Sequence, residues 1–310
     1  MRYLVVIALF FFGTLLHAQE RTDSVYMFSY FINNGEDGLH LAYSLDGLHY
    51  KALHEGRSLL KPLVGKDSLM RDPCVIRGAD GIFHMVWTVS WNDRGIGYAN
   101  SKDLKIWSPQ QFIPVMAHED SARNTWAPEI TYDPYSKQYM IYWASTVNGQ
   151  FTETAASESK YNHRMYHTLT KDFKTFSPTK LLYNKGFNVI DATIVVLGRK
   201  KYLMVLKDET LVPVAQKNLR TARSKHLAKG YSAASAPITG KYWAEGPTTL
   251  KIKDQWVVLF DKYADGKYGA VASTDLANWK DISDAVQVPQ GLRHGTVFMV
   301  SAAEFDQLAN

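Results

Sequence analysis

Ser101-Lys-Asp103-Leu-Lys-Ile-Trp107 is one of four copies of the pattern Ser/Thr-x-Asp-x-x-x-aromatic in this 310-residue chain. The other copies begin at Ser44, Thr170 and Ser273, and a degraded copy that lacks the Asp and the aromatic residue begins at Ser224. Successive copies are 57, 69, 54 and 49 residues apart, a length that suits one four-stranded unit. The Asp can accept backbone N–H groups two residues further on, so each copy predicts a hairpin turn. The count predicts an all-β chain, a five-bladed β-propeller.

A second repeat marks the first strand of each blade. Five segments carry a polar residue beside Pro, Ala or Gly and continue as an apolar strand: Arg71-Asp72-Pro73, Ala127-Pro128-Glu129, Ile190-Asp191-Ala192, Glu245-Gly246-Pro247 and Arg293-His294-Gly295. Only ten residues follow the fifth opening strand at Val300, whereas three strands near residues 26–30, 39–43 and 50 precede the first. We therefore expect the last blade to join the C-terminal strand to the N-terminal strands, which closes the ring without an open edge.

The first residues of the chain have the pattern of a secretory signal peptide. A charged start at Met1-Arg2 is followed by an apolar run to Leu16 and by the small-residue site at Ala18. The run is shorter than the roughly 20 apolar residues that a membrane-spanning helix needs. We expect a signal peptide at residues 1–19 and one propeller domain at residues 20–310. With no membrane span and no lipidation Cys near Gln19, a periplasmic or secreted monomer is expected.

Charge and cysteine content exclude several classes of function. The formal net charge of +5 is dispersed along the chain, whereas a nucleic-acid-binding face would cluster it. The single cysteine, Cys74, cannot form an intrachain disulfide, and its apolar neighbours predict a buried core position. The 10 histidines show no metal-binding spacing.

The blade openings place charged side chains where a propeller has its central channel. Four of them carry a carboxylate and the fifth carries Arg293 and His294; the carboxylates are Asp72, Glu129, Asp191 and Glu245. Charges flanked by apolar strand are costly unless they are paired or used. They predict a polar central site. The alternative is that all four carboxylates only accept backbone N–H groups at strand starts.

Aromatic residues next to the openings favour a sugar ligand. Trp126 precedes Ala127-Pro128-Glu129, and Trp243 lies two residues before Glu245. Aromatic faces stack on the C–H surfaces of sugars while carboxylates bind hydroxyl groups. Core packing is the alternative role for each aromatic residue taken singly.

The ordered openings resemble those of glycoside hydrolase family 43, over the chain from about Tyr26 to Val300. The resemblance implies an inverting hydrolase in which Asp72 is the general base, Glu245 the general acid and Asp191 the residue that tunes the pKa and orients substrate. An inverting enzyme needs two carboxyl groups roughly 6.5–9.5 Å apart, with room for a water between them. Glu245 has to carry a proton near neutral pH, and the like charge of a neighbouring Asp191 favours that state.

The resemblance also implies the substrate and the other site residues. It favours an exo-acting enzyme that takes an oligosaccharide or polysaccharide and removes terminal α-L-arabinofuranosyl residues from plant-type side chains. A β-galactoside or a β-xyloside stays open. Trp126, Glu129, Trp243, Arg293 and His294 are expected to contact substrate. No cofactor is required, although His294 can either help to hold a structural calcium ion on the propeller axis or act as a simple hydrogen-bonding group.

Two other interpretations compete with this one. A retaining fructan-type hydrolase also has five blades, but it needs an Asn-Asp-Pro upstream of Arg71-Asp72-Pro73, and the chain offers only Asn33-Asn-Gly-Glu36-Asp37 there. Asp37 is accordingly the second candidate for the base. The other interpretation is a secreted glycan-binding propeller without catalysis. The presence of all three expected acids argues against it.

Overall fold

The structure, a computed structural model, describes residues 23–155 and 161–310. The expected signal peptide at residues 1–19 lies outside the described residues. Within them, the chain folds into five antiparallel sheets that form the blades of a propeller, which confirms the predicted fold class. In the described part of the chain, no helix has the length and apolar character needed to cross a membrane.

Four of the blades are meanders in which strands consecutive in sequence pair, and the fifth adds the last strand of the chain to the first three. The strands are β1 (Ser24–Phe31), β2 (His40–Ser44), β3 (Lys51–Ala52), β4 (Arg71–Arg77), β5 (Phe83–Thr88), β6 (Ile96–Ser101), β7 (Gln111–Ile113), β8 (Trp126–Asp133), β9 (Gln138–Thr146), β10 (His163–Thr170), β11 (Lys180–Tyr183), β12 (Val189–Gly198), β13 (Lys201–Asp208), β14 (Asn218–Ser224), β15 (Glu245–Ile252), β16 (Gln255–Lys262), β17 (Lys267–Ser273), β18 (Lys280–Asp281) and β19 (Arg293–Ser301). The helices are α1 (Thr152–Ala155) and α2 (Ala302–Ala309), with 3₁₀ turns at Leu53–Gly56 and Ser283–Ala285.

The closing blade has the predicted composition. Its strand order is β19-β1-β2-β3, so the last strand of the chain pairs with the first, from Ser24 opposite Ser301 to Phe31 opposite Arg293. The two backbones come very close at Gly295, where a Cβ would lie 1.8 Å from the Ser29 carbonyl oxygen. Ring closure therefore requires a residue without a side chain at position 295.

The repeated Asp residues form the turns that the sequence predicts. In the copy that follows β6, Asp103 Oδ1 accepts the N–H groups of Lys105 at 2.9 Å and Ile106 at 2.8 Å. Asp46, Asp172 and Asp275 accept the equivalent groups of their own turns. These carboxylates are structural.

One blade departs from the expected four strands. The sheet of β12, β13 and β14 has three, and it is the blade whose turn at Ser224 is degraded. Without the Asp, the chain returns as an irregular segment along β14, where the Ser235 N–H donates to the Thr221 carbonyl at 2.8 Å. The loss of the turn residue and the loss of the fourth strand thus coincide.

The core lies between neighbouring blades. The second strand of each blade supplies its largest buried side chains, such as Trp87, Trp143 and Phe260. Cys74 is fully buried in this core, in the same cluster as Val86 and Trp143. This packing fixes the innermost strands around the axis, where the charged openings meet.

Candidate active site

The innermost strands share one irregularity near their start. In β4 the pairing with β5 shifts between Arg71 and Cys74, so that an extra residue bulges out of the ladder. The same shift occurs in β8, β12, β15 and β19. A bulge of this kind re-aims side chains and is common beside functional sites. Four residues of the bulges have left-handed backbone, with φ of 51° at Asp72, 47° at Ala127, 50° at Asp191 and 59° at Gly246.

Because the five strands carry the same bulge, the residues of the blade openings lie in layers along the axis. The outermost layer holds Arg71, Trp126, Ile190, Glu245 and Arg293; the next holds Asp72, Ala127, Asp191, Gly246 and His294; and the layer two residues deeper holds Cys74, Glu129, Thr193, Thr248 and Thr296. The four carboxylates are therefore not equivalent. Asp72 and Asp191 share a layer with His294, Glu245 shares one with Arg293, and Glu129 lies deeper.

A cavity of about 460 Å³ opens over the two outer layers, and we call it the central cavity. Six of the eight predicted site residues line it: Asp72, Trp126, Asp191, Glu245, Arg293 and His294. Asn33 and Asn34 also line it, whereas Asp37 does not and instead contacts His40 at 3.0 Å.

Asp72 is held by two donors. Thr88 Oγ1 donates to Asp72 Oδ2 at 2.8 Å, and His294 Nδ1 lies 3.3 Å from Asp72 Oδ1. The Ala127 N–H donates to Thr88 Oγ1 at 2.8 Å, which directs the Thr88 hydroxyl proton towards Asp72. Burial opposes ionisation of Asp72, but the hydrogen bond and charge of His294, with smaller contributions from Arg71 and Thr88, outweigh it and lower the pKa. Asp72 is an ionised carboxylate at neutral pH.

His294 supplies the positive charge of this layer. Burial disfavours its protonation, yet the hydrogen bond to Asp72 and the charges of Asp191, Asp72 and Glu129 raise its pKa to about 9. The ring is therefore an imidazolium at neutral pH, with a proton on each nitrogen.

Asp72 and Asp191 are the two carboxyl groups of this layer, and Asp191 is the one with a raised pKa. Its Oδ2 accepts the Gly246 N–H at 3.0 Å. Burial raises the pKa of Asp191 to about 6, and the charges of Glu245 and Asp72 act in the same direction, against those of His294 and Lys207. Asp191 thus exchanges its proton in the pH range of ordinary enzyme catalysis.

Glu245 is bound by two cations. Lys207 Nζ donates to Glu245 Oε2 at 3.0 Å, and Arg293 Nη2 donates to Oε1 at 3.1 Å. The expectation from sequence was a Glu245 governed by the like charge of Asp191. In the structure the direct partners of Glu245 are cationic, and its charge is one of the causes that raise the pKa of Asp191.

Glu129 does not line the central cavity, although it was expected to contact substrate. It is 4% exposed, and its Oε1 accepts a hydrogen bond from Thr296 Oγ1 at 2.7 Å in the deeper layer. The position in the strand accounts for the difference, because β4 and β8 carry the same bulge, but Glu129 stands three positions after Trp126 whereas Asp72 stands one position after Arg71. Burial raises the pKa of Glu129 to about 7.

Aromatic side chains border the cavity on one side. Trp91 and Trp126 pack edge to face with ring centroids 5.5 Å apart, and Trp91 is 41% exposed. Trp243 does not line the central cavity. It is 42% exposed and lies beside Tyr263, with the ring centroids 5.8 Å apart.

Among the site residues missed from the sequence, three stand at the last or penultimate position of the second strand of a blade. Thr88, Lys207 and Asp261 stand opposite Arg71, Ile190 and Glu245 respectively. Each contacts a residue of the opening layers, and Asp261 Oδ2 accepts from Arg293 Nε at 2.6 Å. A polar residue directly after an apolar run, as in Leu206-Lys207 and Phe260-Asp261, is the signal that could have identified them.

The contact that the structure shows for His294 is with a carboxylate, since its Nδ1 lies 3.3 Å from Asp72 Oδ1. Among the described residues, no group of three or more His, Cys, Asp or Glu side chains has the geometry to hold a metal ion.

Three carboxylates line one central cavity of a five-bladed propeller, and exposed tryptophan borders it. A set of carboxyl groups on one cavity, with Asp72 ionised and the pKa of Asp191 raised to about 6, is typical of a glycoside hydrolase. The chain belongs to the family described as "Probable glycosyl hydrolase domain", a group related to glycoside hydrolase family 43, whose model matches residues 23–306.

Known proteins agree with this assignment. A curated relative, the alpha-L-arabinofuranosidase of Bifidobacterium longum subsp. longum, is 25% identical over an alignment of 175 residues, and the match covers 46% of this chain and 16% of the relative. The GH43 protein BlXynB from Bacillus licheniformis aligns with a TM-score of 0.53 at 20% identity, covering 72% of this chain and 42% of that protein. The alpha-L-arabinofuranosidase of Lactobacillus brevis aligns with a TM-score of 0.52 at 17% identity, covering 68% of this chain and 72% of that protein. The structural likenesses show the fold alone, and this chain spans less than half of the first two proteins.

Proposed function

We propose that this protein is an exported, inverting exo-glycosidase that removes terminal α-L-arabinofuranosyl residues from plant-type polysaccharide side chains. One observation carries the proposal: Asp72, Asp191 and Glu245 come from three different blades and line one cavity. Residues 1–19, with the pattern of a signal peptide, support export.

Asp72 is suited to act as the general base. It is ionised, and the bonds from Thr88 and His294 fix the direction of its two oxygens. In the proposed reaction, Asp72 takes a proton from a water as that water attacks the anomeric carbon. The bond from this carbon to the leaving oxygen breaks on the opposite face of the sugar, which inverts the configuration.

Glu245 is our candidate for the general acid that protonates the leaving oxygen. Its place in Glu245-Gly246-Pro247 matches the family pattern, and it lies one layer outside Asp72 on another blade. In the structure both of its oxygens contact cations, so a proton on Glu245 requires Lys207 or Arg293 to yield a contact to substrate. The pKa of about 6 at Asp191 makes this residue the second candidate for the acid.

The choice of sugar rests on the relatives. The curated relative and one of the similar structures are named alpha-L-arabinofuranosidases, while another similar structure is an exo-beta-1,3-galactanase from Phanerochaete chrysosporium. A β-galactoside and a β-xyloside are therefore included in the test.

The first experiment is a release assay with three aryl glycosides, the α-L-arabinofuranoside, the β-D-xyloside and the β-D-galactoside. We expect turnover of the arabinofuranoside and its loss in Asp72→Asn. Turnover of another sugar would correct the substrate. Binding of oligosaccharide without turnover of any of the three would favour a glycan-binding propeller instead.

A second experiment identifies the acid. An activated aryl leaving group needs little protonation, whereas a natural glycoside needs the acid in full. We expect Glu245→Gln to lose about 10²–10⁴-fold on the natural glycoside and far less on the aryl glycoside. The same pattern in Asp191→Asn, with equal losses on both substrates in Glu245→Gln, would assign the acid to Asp191.

A further inference from the structure

Arg71 lines the central cavity, and the proposed mechanism gives it no contact with substrate. It belongs to the outermost layer of the blade openings, one position before Asp72 in β4. Its side chain is partly exposed, so its charge is accessible to a ligand in the cavity. Arginine suits anionic ligands, because its planar guanidinium offers five N–H donors in a fixed fork.

The charge of Arg71 differs from the other positive charges of the cavity in having no carboxylate beside it. The other cations that line the cavity are Lys207, Arg293 and His294, and each has a carboxylate oxygen within 3.3 Å. Among the described residues, Arg71 forms no ion pair within 4.0 Å. The cavity therefore has a positive charge that its own acids do not pair with.

Glu36 is the acid of the neighbouring hairpin, between β1 and β2, and it does not compensate Arg71. Its side chain is exposed, and its pKa is lowered first by a hydrogen bond with the Asn34 side chain. The charge of Arg71 is the smallest of the causes that lower this pKa. Water around an exposed carboxylate screens its charge, so Glu36 leaves Arg71 free to attract a ligand.

Two aromatic rings and an amide hold the guanidinium of Arg71 in position. Its Cζ lies 4.6 Å from the centroid of the Phe31 ring and 4.4 Å from that of the Trp91 ring. Asn34 Oδ1 accepts hydrogen bonds from Arg71 Nη1 and from Trp91 Nε1, both at 3.1 Å. Stacking uses the faces of a guanidinium, whereas a carboxylate binds its edge through two parallel N–H bonds. A guanidinium that is already held lowers the ordering cost of that binding.

The surroundings of Arg71 suit a sugar that carries a carboxylate. Trp91 is 41% exposed and packs edge to face with Trp126, which also lines the cavity. An aromatic surface for the C–H face of a sugar and a cation for a carboxylate therefore lie side by side. A uronic acid presents both groups on one ring.

The layers of the cavity indicate which part of the glycan bears this carboxylate. Arg71 lies one layer outside Asp72, the proposed base. The sugar that reacts has its anomeric carbon at the base and is therefore deeper than the guanidinium. The carboxylate then belongs to the chain that carries the reacting sugar.

We propose that this protein acts on an acidic glycan, and that Arg71 binds the carboxylate of a uronic acid in the chain that carries the released sugar. This inference rests on the proposed function, which supplies the reaction and the neutral sugar that is released. Arg71 determines the charge of the accepted glycan. A neutral glycan leaves the cation without a partner, whereas a uronic acid compensates it.

The test compares two forms of one oligosaccharide that has a terminal α-L-arabinofuranosyl group and a uronic acid in the chain. One form has the free carboxylate, and the other is its methyl ester, which has no charge. We expect the wild type to hydrolyse the free acid with a kcat/KM about tenfold higher than that of the ester, mainly through KM. In Arg71→Gln the ratio of the two values should fall to about one. Both forms are measured on the same preparation, so a loss of folded protein lowers both rates and leaves their ratio unchanged.

Arg94→Gln is the matched control. Arg94 lies in the hairpin between β5 and β6, as Trp91 does, but it pairs with Asp120 and does not line the central cavity. Its ratio should stay within about twofold of the wild type. Equal kcat/KM for the acid and the ester in the wild type, or a preference for the acid that persists in Arg71→Gln, would overturn the inference while leaving the proposed function intact.

A wild-type chain that hydrolyses neither form would contradict the proposed function, and binding then tests the carboxylate site by itself. Isothermal titration calorimetry with the same two forms measures the Kd of each. A Kd for the free acid about tenfold lower than for the ester, with the difference lost in Arg71→Gln, would support the site. Equal Kd values in the wild type would overturn the inference as well.

Discussion

Glu129 provides a quantitative test of the axial charge arrangement. Its pKa is raised from 4.5 to about 7 because burial disfavours the ionised form. Between these two values the folded state holds a proton that the unfolded state has lost. The contribution of this proton to the unfolding free energy is fully present below pH 4.5 and is lost as the pH rises through 7. The loss amounts to about 3 kcal/mol, at 1.36 kcal/mol for each pKa unit.

The perturbation is Glu129→Gln, which keeps the shape and an acceptor for Thr296 but has no charge to bury. Relative to the wild type, the variant should gain about 3 kcal/mol in unfolding free energy between pH 4.5 and pH 8. Urea unfolding followed by tryptophan fluorescence measures the difference at each pH. Taking the difference from the wild type removes the contributions of other titrating groups that the substitution leaves unchanged.

The control is Glu55→Gln, which makes the same chemical change at an exposed residue of the 3₁₀ turn after β3. Its difference from the wild type should vary by less than about 0.5 kcal/mol over this range, as is usual for surface substitutions. A Glu129→Gln difference that is the same at pH 5 and pH 8 would refute the argument, because Glu129 would then not hold a proton in the folded state.

Two further substitutions test the site and the ring. Thr88→Val removes the hydroxyl that donates to Asp72 at 2.8 Å, so we expect kcat/KM to fall about tenfold and the unfolding free energy to fall by about 1–3 kcal/mol. Steady-state kinetics and urea unfolding measure the two changes. Unchanged values would mean that Thr88 does not hold Asp72. Gly295→Ala places a Cβ 1.8 Å from the Ser29 carbonyl oxygen and should lower the unfolding free energy by about 3 kcal/mol or more. In the control Gly81→Ala the new Cβ meets nothing within 4 Å, so the loss should be about 1 kcal/mol. Equal melting temperatures for the two variants would contradict the close approach of β1 and β19.

The number of blades and the closure of the ring could be predicted from sequence because both depend on local signals. The Asp turns count the blades, since each Asp serves the backbone of its own turn. The position of the fifth opening strand, late in the chain, determines which strands complete the last blade. Neither inference requires knowledge of distant contacts.

The depth of each carboxylate could not be predicted in the same way. β4 and β8 carry the same bulge, so the depth of each carboxylate depends on its distance from the first paired residue of the strand, which is one position for Asp72 and three for Glu129. That first paired residue is known only once the strands are paired. Lys207 was missed for a related reason, because its role is visible only once β13 is placed beside the start of β15 and the amine meets Glu245.

The pairing of β1 with β19 has a consequence for how activity arises as the protein folds. This pair joins the most distant strands of the sequence, so it carries the largest loop-closure cost and should form late. Arg293 and His294 enter the ring only with β19, and they bring the positive charges that Glu245 and Asp72 require. A chain with four blades complete and its seam open would lack the contact of His294 with Asp72, and Lys207 would be the cation left beside Glu245. We therefore expect activity to appear only when β19 has paired with β1 and the ring is closed.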